Sequence, residues 1–237
     1  MLTMMSRRRF FCGCCAALGA GPVLGRGVAK AASDIVAVDF ASFHYQPFHN
    51  EHMRFMNVTV PAGRMAAYHR HTVDFAQVYM AVSPTENTVL GGQPTRASRA
   101  VGEVLFNNYT KHPVVHQVVN VGSGDFRVLG FEILDSVPGR FAAVSRPAAY
   151  LGVMDNERVR AWRLTLQPGE EAPPMRQAGP GVRIVVQGGE LVESVEGAPD
   201  HILNLKYGDF AWQDGGVTRT IRNAGGSSVE LVEFELR

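Results

Sequence analysis

Gly63-Arg64-Met65-Ala66-Ala67-Tyr68-His69-Arg70-His71 and Gly169-Glu170-Glu171-Ala172-Pro173-Pro174-Met175-Arg176-Gln177 are one frame written twice, 106 residues apart. The glycine and the arginine recur, while both histidines are absent from the later copy. Upstream, residues 54–60 align with 160–166 at the same offset. Alternation places Met56, Val58 and Val60 on one face and Trp162, Leu164 and Leu166 on its match, with Thr59 and Thr165 outward. That is a half-buried strand met twice. The offset persists through Gln77/Arg183 and Gly102-Glu103/Gly208-Asp209, then falls to 103. Beyond that step His116 pairs with Arg219, Asn120 with Asn223, and Phe131-Glu132-Ile133 with Phe234-Glu235-Leu236. The first copy therefore carries three extra residues between Phe106 and His116. A frame held over this length marks a duplication.

Within each copy, short apolar runs are separated by Ser83-Pro84, Gly91-Gly92, Gly188-Gly189 and Gly215-Gly216. Such punctuation, with poor helix signals throughout, predicts an all-β chain of many short strands. Closing each sheet removes its exposed edges, so two sandwiches or barrels in tandem are expected. The join falls between Ser136 and Pro147, giving a first barrel over residues 32–140 and a second over 141–237.

The 237 residues fit one large domain or two small ones. Ser6-Arg7-Arg8-Arg9-Phe10-Phe11, an apolar stretch from Cys12 to Leu24, and Ala29-Lys30-Ala31 together resemble a twin-arginine export signal over residues 1–31. The implied location is periplasmic or secreted. All three cysteines lie in that segment, so the remainder holds neither a disulfide nor a thiol ligand. Its removal leaves 23 less five basic residues against 22 acidic ones and takes the formal charge from +1 to −4. A mildly acidic chain without a basic stripe excludes nucleic acid as a partner. No later apolar run approaches the roughly 20 residues a membrane helix needs, so no membrane association is expected after signal removal.

Gly63, His69 and His71 resemble the first motif of the cupin superfamily, and His116 with Asn120 resembles the end of its second. The later copy keeps Gly208, Gly216 and Asn223 of that second motif but has Arg219 in its histidine position. The likeness covers residues from about 40 to 237. It implies a bicupin: two small antiparallel jelly-roll barrels, with metal ligands inside the first. The motif's glutamate has no counterpart, since Phe75 and Ala76 stand there.

Alternation puts His69 and His71 on one strand face, Cβ atoms roughly 6.5–7 Å apart. His116, from a neighbouring strand, can converge between them. Three neutral imidazoles suit one divalent ion: Fe, Mn, Zn, Ni or Cu. Gln77 and Asp74 compete for a fourth position, and strand phase from His71 favours Gln77. A neutral fourth ligand leaves the ion's charge uncompensated, which favours an anionic small-molecule ligand or substrate. Tyr79, His112, Asn120 and Asp74 are candidates for the surrounding pocket. His44, His49 and His52 read as surface residues, with a lid or pocket role as the alternative.

In the second copy the same positions hold Met175, Gln177, Arg183 and Arg219, which cannot bind a metal. Arg183 and Arg219 require an anion, supplied by an internal glutamate such as Glu190 or Glu193 or by a carboxylate ligand. Two functions fit: a metal-dependent oxidoreductase (dioxygenase-like) or isomerase acting on a small organic acid, or a non-catalytic binding or structural protein. A homodimer is compatible with either.

Overall fold

Alternation decides which side of each strand is buried, and here the central strands are buried on both. A computed structural model describes residues 35–135, 140–141 and 144–237. The export-signal segment, residues 1–31, and residues 136–139 of the join lie outside the described residues. Among the described residues every regular element is a strand apart from one 3-10 turn, Val38–Phe40. Residues 35–237 form one compact unit.

The first copy folds into two five-stranded sheets. One runs Val36–Ala37, Met65–His71, Val114–Asn120, Thr85–Val89 and Thr95–Ala97 in spatial order. The other runs His44–His49, Met53–Val60, Phe126–Ile133, Phe75–Ala81 and Val104–Asn107. The second copy repeats the design. Tyr150–Asp155, Val159–Leu166, Val229–Leu236, Gly181–Gln187 and Phe210–Gln213 form one sheet, and Glu171–Arg176, Thr218–Asn223, Gly189–Val195 and His201–Leu205 the other. This is the expected all-β tandem of jelly-roll barrels.

Each barrel has its own core. Met56, Val58, Val60, Ala66, Phe75 and Val128 fill the first, and Trp162, Leu164, Leu166, Ala172, Met175 and Ile221 fill the second. The alternate residues of the same strands point the other way and form a third core between the barrels. There Met53, Phe55, Val78, Leu129 and Phe131 meet Val159, Ala161, Ile184, Val232 and Phe234. Phe131 and Phe234, which occupy matching positions in the two copies, meet edge to face at 5.1 Å. The strands expected to be half-buried are therefore sandwiched, because each copy's outer face is covered by the other.

Matching turns show that the duplication extends to hydrogen bonds. Asn120 Nδ2 donates to Val60 O and Gly124 O, and Asn223 Nδ2 donates to Leu166 O and Ser227 O. Gly63 N donates to Asn120 O and Gly169 N to Asn223 O, both glycines with positive φ (69° and 81°). Asn120, a pocket candidate from the sequence, is thus a fully buried latch across the strand ends. A buried side chain that ties a buried strand carbonyl to the carbonyl of the following turn belongs to the scaffold.

Candidate metal centre

His69 and His71 project from Met65–His71 into the first barrel, and His116 faces His69 across the sheet register. Among the described residues these three form a cluster whose ligand atoms all lie within 4.8 Å of one another. Their ring centroids are 4.6 to 5.0 Å apart. His69 Nδ1 donates to Ala67 O and His116 Nδ1 to Asn87 Oδ1, both at 2.8 Å. Carbonyl acceptors fix the proton on Nδ1, so each ring turns the lone pair of Nε2 inward. Metal-bound histidines are commonly oriented in this way.

Two nitrogens in the cluster, His71 Nδ1 and His116 Nε2, are buried without a hydrogen-bond partner. Leaving such an atom unsatisfied costs about 1–3 kcal/mol. A divalent cation held among the three rings would satisfy the His116 nitrogen, whose Nδ1 is already anchored to Asn87. Burial, followed by repulsion from His116, His69 and His44, lowers the His71 pKa from the ordinary 6.5 to about 2. Burial, then His69 and His44, lowers His116 to about 3, and burial lowers His69 as well. The imidazoles are therefore neutral at physiological pH, the form that coordinates a metal. The donor set fits a divalent ion.

The histidines line a cavity of about 200 Å³, walled by Val58, Val60, Leu105, Val118, Phe126 and Val128. Its polar groups include Gln77, Tyr79, Asn87, Arg99 and Tyr109, and among the described residues no carboxylate lines it. Gln77 Nε2 donates to the Tyr79 hydroxyl at 3.0 Å, which leaves the phenol proton free to donate in turn. Arg99 pairs with Glu103 at 2.7 Å and lies 5.4 Å from the Tyr79 ring. Burial, then Tyr79, pushes Tyr109 up to about 12, so that phenol keeps its proton.

Of the pocket residues read from sequence, Gln77 and Tyr79 line this cavity and Asp74, His112 and Asn120 do not. Asp74 is buried in an ion pair with Arg158 at 3.1 Å and accepts from Thr110 N. Strand phase turns it away from His71 and toward the second copy's residues. His112 is exposed. His49 is exposed too, and His52 stacks on Trp212 at 5.7 Å. His44, grouped with them on sequence, lines the cavity with its ring 4.7 Å from His69. Tyr109, from the three-residue insertion, and Asn87 were not singled out by the sequence reading. Asn87 was findable, since it matches Glu193 at the 106-residue offset.

The second barrel holds charge where the first holds imidazole. Arg183 Nε binds Glu233 at 2.9 Å and Arg183 Nη2 binds Glu193 at 2.6 Å. Arg219 Nη2 binds Glu233 at 3.1 Å, and Arg146 Nη1 binds it at 2.5 Å. Arg160 binds Glu235 at 2.8 Å. The carboxylate-ligand role considered for Arg183 and Arg219 is therefore replaced by internal partners. Glu193 is one of them, and the exposed Glu190 is not. The register explains why. Gln77 opposes Gly130 in the first copy, and at matching positions Arg183 opposes Glu233 in the second.

No protein-family model matches the chain, and no curated protein matches its sequence. Solved structures share its fold. AerE from Microcystis aeruginosa superposes with a TM-score of 0.59 at 13% identity, over 84% of this chain and 99% of its own. Salicylate 1,2-dioxygenase from Pseudoaminobacter salicylatoxidans, as adducts with gentisate, gives 0.54 at 13% identity, over 78% of this chain and 68% of its own. A cupin 2 conserved barrel domain protein from Leptotrichia buccalis gives 0.51 at 10% identity, over 82% and 88%. At such identities the likeness is one of fold, and the fold is the tandem cupin barrel.

Proposed function

We propose that this tandem of cupin-type barrels is a metal-dependent oxidoreductase acting on a small organic acid in its first barrel. The observation that carries the reading is the set of three convergent neutral imidazoles, two with buried unpartnered nitrogens, facing a cavity without a carboxylate. His69, His71 and His116 would hold one divalent ion, which when bound supplies a Lewis-acidic centre with open positions for oxygen and substrate. Its charge meets no acid in the cavity wall, so an anionic substrate completes the balance. The Tyr79 phenol is free to donate to that anion, with Arg99, paired to Glu103, beside it. Apolar side chains around them exclude water from the bound molecule. Isomerisation by carboxylate-driven proton transfer is disfavoured, because no carboxylate lines the cavity. The likeness in fold to a salicylate dioxygenase agrees with oxygen-dependent chemistry.

The test is elemental analysis of the protein, purified without chelator or added histidine tag, beside a His69→Ala/His71→Ala variant. About one metal per chain is expected in the native protein alone, followed by oxygen uptake with a panel of small aromatic and aliphatic acids. A native protein without metal refutes the reading. Bound metal with binding but no turnover across the panel would favour a non-catalytic binding protein. The reading includes export through the twin-arginine route to the periplasm, supported by Arg7-Arg8 before an apolar stretch. Arg7→Lys/Arg8→Lys is expected to retain the protein in the cytoplasm on fractionation, and unchanged export would refute that route.

A further inference from the structure

We infer that His44 supplies a fourth imidazole to the metal centre, taking the place of the glutamate that the cupin motif has and this chain lacks. The inference rests on the metal-site reading above and adds to it a ligand outside both motifs.

Four observations place His44 there. Its ring lies 4.7 Å from that of His69 and it lines the same cavity, beside the set of three whose ligand atoms lie within 4.8 Å of one another, so ligation requires its ring to move toward that set. Its Nδ1 donates to Ser42 O at 2.8 Å, so Nε2 carries the free lone pair. This is the anchoring seen for His69 and His116: a fixed tautomer with the second nitrogen available.

The backbone before it is strained. Phe43 is the residue other than glycine with positive φ among the described residues, at 68°. A bulky side chain there costs on the order of 1–3 kcal/mol and persists only where the surroundings enforce it. Thr59 N donates to Phe43 O at 3.1 Å, and His44 N donates to Ala41 O at 3.3 Å, so both sides of the kink are pinned. The turn delivers the imidazole from an edge strand into the barrel.

The second copy gives the fourth observation. His44 opposes Val58, and Tyr150 opposes Leu164, which is the same position 106 residues on. Tyr150 is 4% exposed with Arg146 over its ring at 5.4 Å, so it reaches the centre of the second barrel. The position points inward in both copies and takes the chemistry of its barrel.

The experiment loads the full chain with Cu(II) and counts imidazoles by electron spin-echo modulation, with Zn(II) affinity measured by chelator competition. Four coupled imidazoles are expected in the native protein and three in His44→Ala, with Zn(II) binding weakened at least tenfold. His44→Phe keeps a ring in the same space and is expected to behave like His44→Ala, which separates lost ligation from lost packing. Gln77→Ala is expected to keep four. If His44→Ala and His44→Phe keep the native spectrum and bind Zn(II) as tightly, His44 is not a ligand while the triad stands. If the native chain takes up neither ion, the metal-site reading itself falls.

Discussion

Replacing Glu233 by glutamine isolates the electrostatics of the second barrel. Glu233 is buried, at 1% exposure, and its carboxylate is shared by Arg146 at 2.5 Å, Arg183 at 2.9 Å and Arg219 at 3.1 Å. Four guanidinium groups, those of Arg146, Arg160, Arg183 and Arg219, face three carboxylates, those of Glu193, Glu233 and Glu235, so the cluster carries +1. Glu233→Gln raises it to +2 and leaves Arg183 with Glu193 alone. Breaking a buried pair from one side costs about 3–5 kcal/mol. At roughly 2–4 °C per kcal/mol for a chain of this size, the midpoint should fall by about 6 to 20 °C.

Thermal melting followed by circular dichroism reads that loss. The core shared between the barrels makes a single transition the expected form. Burial alone would raise the Glu233 pKa, but Arg219, Arg183 and Arg146 overcome burial and hold it well below the ordinary carboxylate range. A depressed folded value stabilises above the unfolded pKa and loses that contribution as pH falls toward the folded one. The gap between native protein and variant should therefore narrow on acidification below pH of about 4. Adding Arg183→Gln to Glu233→Gln returns the cluster to +1 by removing the guanidinium that lost a partner, and should recover part of the loss. A Glu233→Gln midpoint within about 2 °C of native at neutral pH, less than 1 kcal/mol by the same scale, would refute the reasoning.

The remaining predictions concern the first barrel and the scaffold. The metal-free protein should lose stability as pH falls below 6.5, because His71 and His116 titrate only near 2 and 3 when folded but at 6.5 when unfolded. Each ring contributes up to about 1.4 kcal/mol per pH unit. A His71→Phe/His116→Phe variant should show a flatter melting profile against pH, and an equal slope would count against buried neutral rings. Asn120→Ala and Asn223→Ala should each cost about 1–3 kcal/mol in denaturant unfolding, since one buried carbonyl, Val60 O or Leu166 O, loses its donor in each case. A cost below about 0.5 kcal/mol at either position would remove it as a latch. Gly130→Ala places a Cβ 2.6 Å from Phe75 Cζ and 2.8 Å from Ala76 O. Overpacking against backbone costs about 1–3 kcal/mol, and displacement of Phe75 should weaken small-molecule binding in the cavity, checked by calorimetry.

The reading of residues 54–60 against 160–166 found the barrel-facing side chains, because alternation is local and survives duplication. It missed that Met53, Phe55 and Phe131 are equally buried, since their cover comes from the other copy. His69, His71 and His116 were legible through spacing. Asn120 sits four residues from His116 and looked like part of the same site. It is a latch because the strand ends there and its carbonyl partners lie across the turn. His44 read as a surface residue with a pocket role as the alternative, and its match to Tyr150 comes from strand register. Glu233 was hidden because its counterpart is a glycine, and a frame aligned on ligands gives no reason to look there.

Sequence alone determined the duplication, the strand alternation and the loss of histidine from one copy, since each of these is a pattern along the chain. Tertiary structure decided which groups meet: His44, Asn87 and His116 come from separate strands, and Arg146 reaches Glu233 over 87 residues. Pairing register sets the meetings between strands, and a shift of one residue would turn His44, Asn87, His116 and Glu233 to the opposite faces of their sheets.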